Sequence, residues 1–455
     1  MRDLADRVLR SNATLEQHLA ARQRSGWAQI WSGHHAAGFA ALLAVAEEAE
    51  SPETAWNSLS FAATVAYQAG SSDERAAVLR TLDRMPTPSA ERRLWIRACT
   101  EPPGVDGQIT EPVTHPVLAG SAAWLLDQSD LAVRLLRDEL DRLRAPGMRG
   151  GSGGAMSSLM WACVDSGRWD EALAVAREGR EVGAAYGLGP VVASAHLTTA
   201  FIGILRGDFE QLAPLTADPT VYRSAAARVR HAAGLVAYSQ GNFPLAYAQL
   251  SHLFTGDGEP LHHRVSYLAV ADLAAAAARV ERPAPLGRAL EMMAVANPRM
   301  RQIAARARGL LVDPAFFASA PDGSQWPFEQ AQLRLDHGEW LRRQRRINDA
   351  KPVLAAALET FQSLRATPWV RRAETELRAC GVSERVAPDA LADLTAQQRE
   401  IVLLAGRGLT NAEIADRLFL SPRTVASHLY RSYPKLGVAG RHQLRDLTEA
   451  RPRTP

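Results

Sequence analysis

The chain has 455 residues, 47% of them hydrophobic and 22% charged, with a formal net charge of +3; it is long enough for two or three domains with sizeable cores. Its three cysteines, Cys99, Cys163 and Cys380, lie far apart in helical patterns, which reads as core thiols and argues against a disulfide framework or a zinc site. The N-terminal MRDLADRVLR has no apolar signal core and no run approaches the roughly eighteen apolar residues of a membrane span, so no membrane partner and a cytoplasmic location are expected.

From about residue 30 to 380 the chain is rich in Ala, Leu and Arg at helical spacing, and strand signals are scarce. A recurring phrase marks the turns between paired helices: Ser129-Asp130-Leu131-Ala132, Gly167-Arg168-Trp169-Asp170-Glu171-Ala172, Gly207-Asp208-Phe209, Gly241-Asn242-Phe243 and the weaker Arg346-Ile347-Asn348-Asp349-Ala350. The steps from Leu131 to Trp169, Phe209 and Phe243 are 38, 40 and 34 residues, which fits tetratricopeptide-like helix pairs. A small turn residue followed by a large side chain lets the second helix pack closely on the first, and stacking supplies the core that one pair lacks. The tryptophans sit mostly at helical spacing from other apolar residues and are expected in that core.

Two local features suggest chemistry and are weighed against it. Gly150-Gly151-Ser152-Gly153-Gly154 matches the letters of a nucleophile elbow, but the elbow needs a strand before its serine; a flexible loop is expected. The pairs His34-His35 and His262-His263 lack ligands at metal spacing and are expected at the surface or in loops. Neither a catalytic residue, a metal site nor a cofactor is expected. A phosphate loop would need G-x-x-x-x-G-K-[ST], and no Gly-Lys pair occurs.

Residues 381–393 hold a proline and no strong apolar pattern, and are expected to be a linker. Beyond it come three well-signalled helix starts. Thr395 with Gln398 forms a capping box before an apolar run from Ile401, and Gly408 supplies a left-handed stop. Thr410 with Glu413 opens a short second helix through Ile414 and Leu418; Phe419 and Leu420 make the turn; Ser421 caps a third helix with Pro422 at its first position. Val425, Leu429, Ser432 and Leu436 form a stripe that should pack inward, with Arg423, Ser427 and Tyr430 opposite, flanked by Ala426 and Arg431. Two short helices joined by a tight turn, the second with a basic outer face, are a helix-turn-helix, which puts a helix into the DNA major groove. Charge agrees: residues 394–455 carry ten basic and five acidic side chains, and the rest of the chain 42 and 44.

This segment closely resembles the LuxR-type helix-turn-helix, whose pattern runs LT-x-R-E-x-E-V, G-x-[ST]-N-x-E-I-A-x-x-L, S-x-x-T-V-x-x-H and K-L-x-V-x-x-R. Those stretches stand here at 394–401, 408–418, 421–428 and 435–441. The departures are Gln397 and Gln398 for the usual Arg-Glu pair, Ser432 where a large aliphatic is common, Pro434 in the last turn of the third helix, and Gly440 before the final helix. Residues 331–381 resemble the stretch before the DNA-binding module of large ATP-binding LuxR regulators, without their NTPase.

The resemblance implies an all-α protein: a tetratricopeptide-like helical repeat array over 1–380, a linker over 381–393, and a LuxR-type helix-turn-helix domain over 394–455. It implies a transcriptional regulator rather than an enzyme, with double-stranded DNA as partner, an effector or protein on the repeat array, and RNA polymerase as a further contact. A homodimer is implied through the last helix, which runs from Arg441 and presents Leu444 and Leu447. Ser427 and Tyr430 are expected at base edges, and Lys435 and Arg441 at phosphates. Thr410, Asn411 and Thr424 stand at helix starts suited to phosphate oxygens. Arg423, Ala426, Arg431 and His428, the last of the T-V-x-x-H stretch, complete the expected DNA face. The alternative reading is a helical-repeat adaptor or scaffold whose DNA-binding module has degenerated.

Overall fold

The structure, a computed structural model, describes residues 14–31, 34–86, 89–101, 103, 107–145, 152–213, 222–381, 394–433, 435–436, 438, 440–441 and 444. The linker positions 382–393, Pro434 and Leu447 therefore lie outside the described residues. The fold is all-α: the described residues form no strand, only an isolated bridge between Phe254 and Pro260.

The first ten helices are α1 (Leu15–Trp31), α2 (His35–Glu48), α3 (Pro52–Ala69), α4 (Ser72–Arg84), α5 (Ala90–Thr100), α6 (Pro116–Leu125), α7 (Ser129–Leu143), α8 (Gly153–Asp165), α9 (Trp169–Tyr186) and α10 (Gly189–Arg206). Then come α11 (Arg223–Ser239), α12 (Phe243–Ser251), α13 (Val265–Leu268), α14 (Val270–Val280), α15 (Gly287–Ala294), α16 (Pro298–Leu311) and α17 (Ala315–Ala318). The array ends with α18 (Pro327–Arg343), α19 (Ile347–Leu364) and α20 (Thr367–Ala379). Their boundaries follow local chemistry. Ser51, Ser71 and Ser89 each accept a backbone N–H at a helix start, and Pro52, Pro116, Pro298 and Pro327 occupy first positions where no N–H is needed.

One packing register recurs in the helix pairs. A Cβ added at Gly120, Gly234 or Gly338 would lie 2.6, 2.4 or 2.6 Å from the Leu136, Leu250 or Leu354 side chain. Each glycine thus gives the following helix its close approach at the same sequence offset. Seven positions after each of these glycines comes a left-handed residue, Asp127, Gly241 and Arg345, and Gly167 and Gly207 hold the same conformation in the neighbouring units. The register makes Ser129, not Leu131, the equivalent of Trp169, Phe209, Phe243 and Ile347.

Order along the chain is not order in the core. One apolar cluster takes residues from α1 to α10, a stripe of α11 (Ala232, Leu235, Val236), and then α18 to α20. The unit at Phe243, expected to continue the run, belongs elsewhere. Ala227 and Ala237 of α11 join α12 to α16 in a second apolar cluster. In the first cluster the Trp169 and Phe328 rings lie 5.7 Å apart, and the turn at Gly167 sits against Pro327 and Leu364.

Several expectations are settled here. Trp56, Trp95, Trp124, Trp161, Trp169, Trp326 and Trp369 are buried. All three cysteines are buried, and burial pushes the Cys163 thiol up to about 12, so none is a ready thiolate. Gly153 and Gly154 open α8 rather than a loop, while Gly150 and Gly151 lie outside the described residues. His262 and His263 lie in the loop before α13, one of the two places expected, but not at the surface. Both are buried because each ring finds a backbone partner: Nε2 of His262 donates to the Tyr67 carbonyl at 2.6 Å, and Nε2 of His263 to the Cys99 carbonyl at 2.9 Å. His35 lies 3.1 Å from the Glu74 carboxylate, and no group of three or more metal-ligating side chains occurs among the described residues. None of the described helices is long and apolar enough to cross a membrane.

Candidate nucleic-acid interface

The C-terminal module contains α21 (Ala396–Gly406), α22 (Asn411–Leu418) and α23 (Pro422–Ser432). Both capping boxes form. The Gln398 N–H donates to Thr395 Oγ1 at 3.3 Å, and its side-chain oxygen accepts the Thr395 N–H at 3.2 Å. Thr410 and Glu413 repeat the exchange at 3.3 and 2.6 Å, and the hydrogen bonds that the Thr410 N–H and hydroxyl donate to it hold the exposed Glu413 carboxyl below its usual range. Gly408, at φ 92°, reverses the chain after α21.

The turn between α22 and α23 is made by Phe419 in the left-handed region, at φ 56°, a residue 96% exposed. An L-residue other than glycine is uncommon there. The Leu420 N–H donates to the Ala415 carbonyl at 2.9 Å, which locks the reversal. Ser421 then caps α23 by accepting the Thr424 N–H at 3.0 Å.

These starts leave α23 with one face closed. Val425, Leu429 and Ser432 are buried with Leu436, against Ile401, Val402, Ile414 and Ala415. Ser432 sits in this core without an orphaned hydroxyl, because Oγ donates to the His428 carbonyl at 2.8 Å. The opposite face is open. Arg423, Ala426, Ser427, Tyr430 and Arg431 are exposed, Tyr430 by 78%. Arg423, Ala426, Ser427 and Tyr430 form one stripe on a helix about 16 Å long.

The other expected contacts are placed differently. Thr424 is half-buried, its hydroxyl 2.7 Å from that of Ser421. His428 is half-buried, and its Nδ1 has no hydrogen-bond partner. Thr410 is exposed but bonded to Glu413. Lys435 is exposed and donates from Nζ to Gln398 Oε1 at 3.3 Å. Gln398, read as a departure, is thus a hub: it caps α21 and holds the segment after α23. Arg441 donates to the Asn411 side-chain oxygen and the Leu409 carbonyl, committing both Arg441 and Asn411 inside the module. Leu444, expected to be presented to a second copy, is instead fully buried in the module's own core. An apolar side chain with a local cavity to fill is not left for a partner.

Arg407 and Arg417, which the motif reading passed over, are exposed after α21 and in the last turn of α22. Their signal was basic charge at helix ends, where it suits the dipole as well as phosphate.

Comparisons with known proteins match this same segment. The profile of the family described as bacterial regulatory proteins, luxR family, matches residues 392–448. A stretch of 53 residues is 55% identical to a putative HTH-type transcriptional regulator of Mycobacterium bovis, covering 12% of this chain and 6% of that protein. Over 63 residues the identity is 43% to the DNA-binding transcriptional activator DevR/DosR of Mycobacterium tuberculosis, covering 14% of this chain and 28% of the relative. Over 50 residues it is 44% to the spore germination protein GerE of Bacillus subtilis, covering 11% of this chain and 68% of GerE. The chain thus matches only a small part of the long mycobacterial regulator.

Proposed function

We propose a mode of action for a chain that belongs to the luxR family of bacterial regulatory proteins: it is a DNA-binding transcriptional regulator in which α23 enters the major groove and the helical array answers to an effector or a protein partner. The observation that carries this reading is the division of α23, with one face closed into the module core and Arg423, Ser427 and Tyr430 open on the other. Exposed side chains at successive turns of a short helix match the depth and pitch of a major groove, and a preceding helix crossing the backbone fixes the angle.

Within this reading Ser427 and Tyr430 meet base edges, and Arg423, Arg431 and Lys435 meet phosphates. Arg441 and Asn411 act from within, by holding the segment after α23 against the turn before α22. The division into an array over 1–380, a linker over 381–393 and a DNA module over 394–455 belongs to the same proposal, as does dimerisation on DNA. One module offers few contacts, and two half-sites multiply them. Leu444 takes no part in that dimer.

Binding-site selection on four single variants, with affinities at several salt concentrations, tests it. Ser427→Ala and Tyr430→Ala should change the preferred sequence, by about 1 kcal/mol or more per lost base contact. Lys435→Ala should weaken all sequences alike and lessen the salt slope by about one unit. Arg441→Ala should lower the melting temperature of the module together with affinity. An unchanged sequence preference in both Ser427→Ala and Tyr430→Ala would sink the assignment of this face.

A further inference from the structure

The seam between the two apolar clusters has a chemistry unlike either. No residue of α12 to α17 belongs to the first cluster, and none of α1 to α10 or α18 to α20 belongs to the second; only α11 supplies both. Beyond α11 the two groups meet mainly through polar side chains, with an aromatic contact where Phe317 of α17 stacks on His337 of α18 at 5.4 Å. His262 and His263 reach the Tyr67 and Cys99 carbonyls, with the Tyr67 ring nearly perpendicular to both imidazoles at 4.9 and 5.7 Å. Asp127, at the turn after α6, takes Arg264 at 3.0 Å, Asn297 at 2.8 Å and Arg299 at 3.1 Å. Arg299 also lies 3.0 Å from Asp165 and bonds Glu329, while Arg306 of α16 reaches Asp336 of α18 at 2.7 Å.

Such a seam gives little net free energy for its area. Each ion pair returns in Coulomb energy roughly what it loses in hydration, so a buried ionic contact comes near to breaking even, whereas each apolar cluster keeps the full gain of water exclusion. Undocking rehydrates the ions and leaves both apolar clusters intact outside α11, the helix that belongs to both. Interfaces of this polar kind between parts of a chain are the ones across which parts move.

We infer that residues 243–318 form a unit reversibly docked on the array, which detaches as a body with α11 as its hinge and uncovers Asp127, Asp165 and the Tyr67 and Cys99 carbonyls. The seam is a conformational latch, and Asp127, with three donors from the docked unit, is its keeper. Any signal that the array transmits has a two-state element to act on here.

Hydrogen–deuterium exchange on the full chain, read at α14 and α16 against α3 and α8, decides the matter. In the wild type, α14 and α16 should open at least about tenfold more often than α3 and α8. Asp127→Asn keeps a residue that tolerates the left-handed φ of 60° at this turn and removes the charge that Arg264 and Arg299 share. It should raise opening at α14 and α16 by a further tenfold or more and leave α3 and α8 unchanged. A common opening equilibrium for all four helices in the wild type would overturn the inference, and so would an Asp127→Asn chain in which all four speed up alike. The wild-type comparison stands even if the variant fails to fold.

Discussion

The C-terminal module and the helical array satisfy their polar groups over very different lengths of chain. In the module, the caps at Thr395, Thr410 and Ser421 each bond three residues ahead, and Ser432 bonds four residues back. In the array, Arg299 reaches Asp127 across 172 residues, and Trp326 Nε1 donates to Ser129 Oγ across 197. The first kind of contact forms as its helix forms. The second exists only once distant parts have come together, after the entropy of closing a long loop has been overcome. The module's architecture is therefore specified piece by piece, while the array has a step of assembly that no single helix contains.

Breaking the long-range side should cost most. Arg299 is buried with Asp127, Asp165 and Glu329 around it, and Arg299→Met leaves those carboxylates without their shared cation. We expect a loss of about 3–5 kcal/mol, read from urea unfolding of the array. A loss under about 1 kcal/mol would mean that the network rearranges freely and the contrast with the module is overstated.

Acid should act on the same seam. Burial holds His262 down to about 3 and His263 well below its usual 6.5, and the cations facing them, Arg75 and Arg264 for both rings and Arg228 for His262, push the same way. The unfolded chain takes up protons below pH 6.5 that these folded rings refuse. Stability is therefore full above that pH and falls as pH drops towards 3, by about 2 kcal/mol at pH 5 from His262, with His263 acting in the same direction. Asp272 works in another window: the Arg306 guanidinium and His231 outweigh the cost of its burial and hold it at about 2, so its contribution fades only below 3.8. Urea midpoints that are equal at pH 7 and pH 5 would contradict the buried, neutral state of the two rings.

The module should respond least. Thr410→Ala removes one cap and should lower the stability of α22 by about 1 kcal/mol, visible as a lower melting temperature of the DNA-binding module with the array's urea midpoint unmoved. A shift in the array's midpoint would show that the two regions unfold together.

This contrast also explains what could be read from residues alone. Caps, the stripe of Val425 and Leu429, and the reversal at Gly408 follow from spacings of three and four, so the helix-turn-helix was legible in full. Paired helices with close turns were legible too, because Gly120 and Leu136 sit in adjacent helices. What escaped notice depends on distance. The burial of His262 and His263 requires carbonyls of residues 67 and 99, far away along the chain. Arg441 looked like a phosphate ligand until Asn411 and the Leu409 carbonyl came beside it. Leu444 looked presentable for the same reason: nothing near it in sequence says that the module core has room for it. The splitting of the array into two apolar clusters has no local signature, since helices of either cluster carry the same amphipathic spacing.

At Asp127 the chain forgoes glycine in a left-handed conformation that Gly167 and Gly241 adopt in neighbouring units. The backbone strain of that choice is about 1 kcal/mol. In exchange, the point where the chain reverses becomes an anchor for Arg264, Asn297 and Arg299. At this turn the reversal itself is a ligand: one carboxylate at the bend holds three side chains of a segment far downstream, where Gly167 and Gly241 offer the bend alone.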